Sequence, residues 1–248
     1  MQKDKLAIEV FENRTLMGAT AAVQVERRIK ALMQEQPFVN IIFAAAPSQN
    51  EFLQALRASD VNWSRVRAFH MDEYIGLSRD AVQGFGNFLG HALFNEVPLA
   101  AVHYINGQAV GWQEECERYA ALLKQYPPDI VCMGIGENGH IAFNDPPVAD
   151  FRDPLRVKVV VLDAACRQQQ VNDGCFSSLQ AVPARAITLT IPALMTARYL
   201  YCMVPGKLKA SAVFNTLHKK ISEEVPASII RTHPQATLYL DKLSSANL

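Results

Sequence analysis

Asp129-Ile130-Val131-Cys132-Met133 runs directly into Gly134-Ile135-Gly136-Glu137-Asn138-Gly139-His140-Ile141-Ala142-Phe143-Asn144-Asp145-Pro146. The first segment is apolar and of strand length, as expected of a strand buried on both faces of a parallel sheet. The second is polar and glycine-rich, so its backbone can turn sharply and approach a ligand closely. An amide, an imidazole and a carboxylate (Asn138, His140, Asp145) thus fall just past a strand's carboxyl end, where open α/β sheets hold their ligands. The Gly-x-Gly-x-x-Gly spacing of Gly134, Gly136 and Gly139 is not read as a dinucleotide loop, because it follows a late strand rather than the first. No Walker lysine follows it either.

Outward from this junction the chain alternates between helical and extended patterns. Leu16 to Gln34 is apolar at helical intervals, and Pro37 closes it. Phe38 to Ala46 reads as a strand, and Ser48 as a cap for the helix through Phe52, Leu53 and Leu56. Strands are expected at Val66 to Met71, Val102 to Ile105, Val157 to Leu162, Ile187 to Ile191, Tyr199 to Val204 and Thr237 to Leu240. Helices are expected near Phe85 to Phe94, at Trp112 to Lys124 and from Gly206 to about Leu217. This βαβ rhythm predicts an α/β, Rossmann-like fold with a mostly parallel central sheet flanked by helices, in one domain over residues 1–248.

Composition narrows the function classes. The chain carries 24 basic and 24 acidic residues, with no polybasic run, which argues against nucleic acid or an anionic membrane as partner. No apolar run approaches the roughly 20 residues of a membrane span, and no signal-peptide core is evident, so a cytoplasmic protein is expected. Five cysteines at wide spacing suit neither a disulfide framework nor a zinc site. No cluster calls for a metal or organic cofactor.

Two stretches carry acid–base groups. Asp72-Glu73-Tyr74 follows the strand ending at Met71, and a carboxylate there can serve as a general base in a partly dry cleft. A solvated turn is the commoner role for such a pair. His140 can carry a proton near neutral pH, with Asp145 orienting it; a structural glycine turn is the alternative.

Together, Phe69-His70-Met71-Asp72-Glu73-Tyr74-Ile75-Gly76-Leu77 and Gly134 to Pro146 resemble the glucosamine-6-phosphate deaminase (isomerase) family, a relative of the 6-phosphogluconolactonases. The resemblance extends over nearly the whole chain. It implies a Rossmann-like fold, and conversion of a 2-amino-2-deoxy sugar 6-phosphate plus water to a ketose 6-phosphate plus ammonia, with glucosamine 6-phosphate or galactosamine 6-phosphate as substrate. By that match Asp72 is the base at C2, His140 moves the ring-opening proton, and Asn138 and Asp145 complete the catalytic set. Ser48, Glu73, Gly136, Arg167 and Lys209 form the substrate-binding set, with Arg167 and Lys209 as phosphate anchors. Arg156-Val157-Lys158 partly matches basic residues of an allosteric site found in some deaminases, and the oligomeric state is left open, a homo-oligomer included.

The chain also departs from the family. Asn138-Gly139-His140 stands where Asp-Gly-His is usual, and Asn144-Asp145-Pro146 where Asn-Glu-Pro is usual. Ala45-Ala46-Pro47-Ser48-Gln49 replaces a Thr-Gly-x-Thr-Pro phosphate loop. A lactonase-like hydrolase and a non-catalytic sugar-phosphate sensor are the alternatives; the Phe69 to Leu77 stretch opposes the first, and the pairing of Asp72 with His140 opposes the second.

Overall fold

In the computed structural model, which describes residues 1–248, the apolar runs become strands whose successive side chains feed two cores. The strands are β1 (Gln2–Lys3), β2 (Leu6–Phe11), β3 (Val39–Phe43), β4 (Val66–His70), β5 (Asp72–Tyr74), β6 (Ala101–His103), β7 (Ile130–Met133), β8 (Val157–Val161), β9 (Arg185–Leu189), β10 (Tyr199–Val204) and β11 (Ala236–Asp241). The helices are α1 (Arg14–Glu35), α2 (Asn50–Arg57), α3 (Phe85–Leu89), α4 (Trp112–Gln125), α5 (Ala164–Asn172), α6 (Ile191–Met195) and α7 (Ala210–His218). Ile41 and Phe43 of β3 enter the core shared with α1 and α2, while Ile42 between them enters the core shared with α4 and α7. Two-residue alternation thus gives a sheet covered by helices on both faces.

The main sheet has eight strands in the order β1-β2-β11-β10-β7-β3-β4-β6, parallel except for the antiparallel β1–β2 pair. From β3 the chain moves to one side through β4 and β6, then returns to the other flank of β3 as β7, and continues to β10 and β11. The reversal between β3 and β7 is a topological switch point, which opens a crevice at the carboxyl ends of those strands. The N-terminus of α1 braces one wall. Asn13 Oδ1 accepts from Leu16 N at 2.9 Å, a cap worth about 1 kcal/mol. One turn in, a Cβ on Gly18 would lie 2.7 Å from Phe52 N, so only glycine lets α1 approach α2 this closely. Arg14 then reaches across to donate to Pro47 O and Glu51 Oε2, both at 2.8 Å, and fixes the turn that precedes α2.

Several expectations are corrected. The segments expected as strands at 157–162 and 187–191 do not join the parallel sheet: β9 pairs with both β5 and β8 in a separate three-stranded antiparallel sheet, β5-β9-β8. Apolar, β-branched runs look alike in both settings, which is why the sequence did not separate them. Residues 191–195 are a short helix, α6, begun by the Thr190 cap and Pro192. Ser48 makes no capping bond: Pro47–Gln49 form a 3-10 turn ahead of α2, and Ser48 Oγ accepts from Gln49 Nε2 at 3.1 Å. The helix near Phe85 to Phe94 divides into α3 and a π-helical stretch, Gly90–Phe94. All five cysteines are free, and no helix is long and apolar enough to cross a membrane.

Candidate active site

Four neighbouring strand ends surround a cleft of about 300 Å³. Ala44 to Gln49 follow β3, Met71 and Asp72 follow β4, Gly134 to Gly136 with His140 follow β7, and Pro205 to Lys209 follow β10. The crevice predicted by topology is therefore the cleft that holds the acid–base groups.

Asp72 is held by the small sheet. Its register partner is Thr188 of β9, and Leu189 N donates to Met71 O at 2.8 Å, so the backbone bearing the carboxylate is fixed against β9. The side chain is only 6% exposed. Burial pushes its pKa well above the ordinary carboxylate range, and the negative charge of neighbouring Glu73 adds to the shift. Glu73 itself faces away from the cleft: its carboxylate accepts from Tyr74 N, Phe85 N and Gly86 N at 2.8–3.0 Å and ties the start of α3 to β5. It borders a second, separate cavity rather than this one.

The loop after β7 is built around the His140 ring. A Cβ on Gly136 would fall 2.1 Å from His140 Cε1, so the imidazole occupies the space a side chain would take. Gly139 turns at φ +88° and Ala142 at φ +49°, the latter a conformation that costs an L-residue about 1–2 kcal/mol and recurs at functional sites. Nδ1 of His140 lies 2.8 Å from Asn138 Oδ1 and 2.9 Å from Asp145 Oδ1. Asn138 Oδ1 also accepts from His140 N at 3.0 Å, while Asn138 Nδ2 donates to Asp145 Oδ1 at 2.8 Å, which fixes the orientation of the amide. Both neighbours of Nδ1 are acceptors, so Nδ1 carries a proton, and in the neutral form of the ring Nε2 is the free basic atom. Burial raises the pKa of Asp145, but the His140 and Asn138 hydrogen bonds and the His140 charge outweigh it and hold that carboxyl below its ordinary value.

At the far end Lys209 sits where the chain turns into α7, 7% exposed. Burial lowers its pKa, opposed by the charges of Asp173 and Glu137. Of the residues singled out from sequence, Ser48, Asp72, Gly136, His140 and Lys209 line the cleft, and Asn138 with Asp145 stand behind His140. Glu73 and Arg167 are not brought to it. Arg167 Nη2 instead donates to Leu179 O at 2.6 Å and Val182 O at 3.0 Å, bracing the segment after α5. Gln49, Gln169, Gln170 and Asp173 also line the cleft and were not foreseen; only the nearness of Gln49 to Ser48 offered a signal.

A buried, proton-hungry carboxylate beyond β4 and a tautomer-fixed histidine beyond β7, strands that flank β3 in an open α/β sheet, define an acid–base enzyme for small polar substrates. The family model for glucosamine-6-phosphate isomerases/6-phosphogluconolactonase matches residues 12–239. A glucosamine-6-phosphate deaminase of Streptococcus suis is 31% identical over 236 residues, covering 95% of this chain and 97% of the relative. One from Bacillus cereus is 35% identical over 187 residues, 75% of this chain and 70% of that protein. Among solved structures, a monomeric glucosamine-6-phosphate deaminase superposes with a TM-score of 0.89 at 27% identity, covering 98% of this chain and all of that one. A 6-phosphogluconolactonase from Thermotoga maritima, at 18% identity and TM-score 0.79 over 96% of this chain and all of that one, shares the fold. The chain belongs to the glucosamine-6-phosphate isomerase/6-phosphogluconolactonase family.

Proposed function

We propose that the protein converts a 2-amino-2-deoxy sugar 6-phosphate, glucosamine 6-phosphate or galactosamine 6-phosphate, and water into the ketose 6-phosphate and ammonia. The reading rests on its curated relatives and on one observation above all: Asp72 and His140 line the same cleft from the ends of the two strands that flank β3. His140, held at Nδ1 by Asn138 and Asp145, takes the anomeric hydroxyl proton at Nε2 and returns it to the ring oxygen, which opens the ring. Asp72 then removes the C2 proton to give an enolamine and delivers a proton to C1, leaving an imine at C2. Water adds to that imine, and the resulting carbinolamine expels ammonia to form the ketone. Lys209 and Ser48 hold the distal phosphate.

Asp72 has to be ionised to act, although burial favours its protonated form; its raised affinity for a proton is what makes it a competent base at carbon once ionised. A lactonase needs only activation of water and has no use for a base at C2, so the carboxylate in the cleft favours the deaminase reading. We further read residues 1–248 as one working domain of a cytoplasmic enzyme. Ammonia and ketose assays on glucosamine 6-phosphate and galactosamine 6-phosphate, beside hydrolysis of 6-phosphogluconolactone, test the proposal. Ammonia release from an amino sugar phosphate is expected; lactone hydrolysis alone would replace the reading with the lactonase one, and binding without turnover would replace it with a sensor.

A further inference from the structure

The distal end of the cleft is short of positive charge. Of its lining cations, Arg14 is committed to Glu51 and Pro47 O, and Lys207 is exposed, so Lys209 is the one buried ammonium available to an anion. No guanidinium enters from α5, because Arg167 is turned toward the carbonyls of Leu179 and Val182. What α5 and its C-cap present to the cleft is Gln169, Gln170 and the carboxylate of Asp173. Gln169 Nε2 lies 3.3 Å from Asp173 Oδ2, which steadies the carboxylate on that wall.

A second observation points the same way. Gln49 is 1% exposed and lines the cleft, and its Nε2 is taken by Met203 O at 3.2 Å and Ser48 Oγ at 3.1 Å. The carbonyl of Met203 can only accept, so the amide orientation is fixed and Oε1 is left as a buried acceptor with no partner. A doubly charged group at this end would meet the Ser48 hydroxyl, one buried ammonium and the exposed Lys207 against the Asp173 carboxylate, with the unpartnered Gln49 oxygen buried in the same wall, and in a partly dry cleft a second uncompensated negative charge is costly.

We propose that the distal end selects a singly charged anion and that Asp173 is the specificity-determining residue that sets this limit. Resting on the sugar-phosphate reading above, this means that the phosphomonoester binds in its singly protonated form and that the dianion is disfavoured. Removing the carboxylate therefore tightens binding of the dianion rather than weakening it, a sign that loss of a merely structural residue does not produce.

The test is titration calorimetry of the enzyme with glucitol 6-phosphate and glucitol 6-sulfate at pH 8, with glucitol as the uncharged reference. The two anions have similar shape, but at this pH the phosphate is a dianion, since its second pKa is about 6, whereas the sulfate ester stays singly charged. The sulfate ester is expected to bind about tenfold tighter than the phosphate in the wild type, and Asp173→Asn is expected to erase or invert that ratio by strengthening phosphate binding. In the double variant Asp173→Asn, Lys209→Gln both anions weaken toward glucitol. A phosphate preference in the wild type that Asp173→Asn leaves unmoved would overturn the inference alone. Failure of either anion to bind better than glucitol would overturn it together with the sugar-phosphate reading.

Discussion

Asp72 and Asp145 are the same residue type, both buried at carboxyl ends of the same sheet, and the protein drives their proton affinities in opposite directions. Around Asp72 there is burial and the like charge of Glu73; around Asp145 there are the His140 ring and the Asn138 amide. The difference lies in the partners supplied, and it divides the chemistry between them: the carboxyl kept hungry for a proton can take one from carbon, while the one held at Oδ1 by a ring and an amide favours its ionised form and orients the ring. It also explains why the two sit on different scaffolds. Asp72 stands on a strand locked by β9, and Asp145 closes a strained loop folded around the histidine.

The largest way to break this division is Asp72→Asn, which is expected to lower kcat by about 10³-fold while leaving substrate binding largely intact. Ammonia release under saturating and limiting substrate measures both quantities. Asp145→Asn comes next: the ring keeps its Asn138 contact but loses the charge beside Nδ1, and kcat is expected to fall by about 10²-fold with KM little changed. Lys209→Gln acts at the other end of the cleft, so it is expected to raise KM for phosphorylated substrate about tenfold and to spare kcat, which steady-state kinetics separates.

The smallest effect is on stability, and it carries opposite signs at the two carboxylates. The folded-state pKa of Asp72 is raised, so the fold favours its protonated form, and stability from this group falls as pH rises from about 4 through the folded pKa. Asn mimics the protonated form, and Asp72→Asn is expected to raise Tm by about 2–4 °C at pH 8. The gain should vanish near pH 4. The folded-state pKa of Asp145 is depressed, so its contribution is present above its unfolded pKa and lost as pH falls through the folded one. Asp145→Asn is therefore expected to lower Tm at pH 8 and to cost less in acid, as thermal melts across this range would show.

The sequence made the parallel core and the reaction end legible for one reason: both are local. Apolar runs of strand length mark β3, β4, β7 and β10, and Asp72 and His140 fall within a few residues of two of those strand ends. The small antiparallel sheet was not legible, because β5 pairs with β9 across more than a hundred residues and the alternation of β5, β8 and β9 does not differ from that of the main sheet. Nor was the distal wall. Arg167 and Asp173 lie on one short helix and its cap, and only the three-dimensional path of α5 decides that the guanidinium turns to Leu179 and Val182 while the carboxylate lines the cleft. The role of Glu73 was hidden likewise, since the three amides that claim its carboxylate include two from the start of α3, more than ten residues on.

The central claim is that Asp72 moves a proton between C2 and C1 of an amino sugar phosphate. Turnover of glucosamine 6-phosphate or galactosamine 6-phosphate in deuterated water, followed by NMR, tests it most directly. One equivalent of ammonia per ketose 6-phosphate is expected, with deuterium entering at C1, and neither product nor exchange at C2 with Asp72→Asn. Substantial ammonia release or C2 exchange by that variant would contradict it.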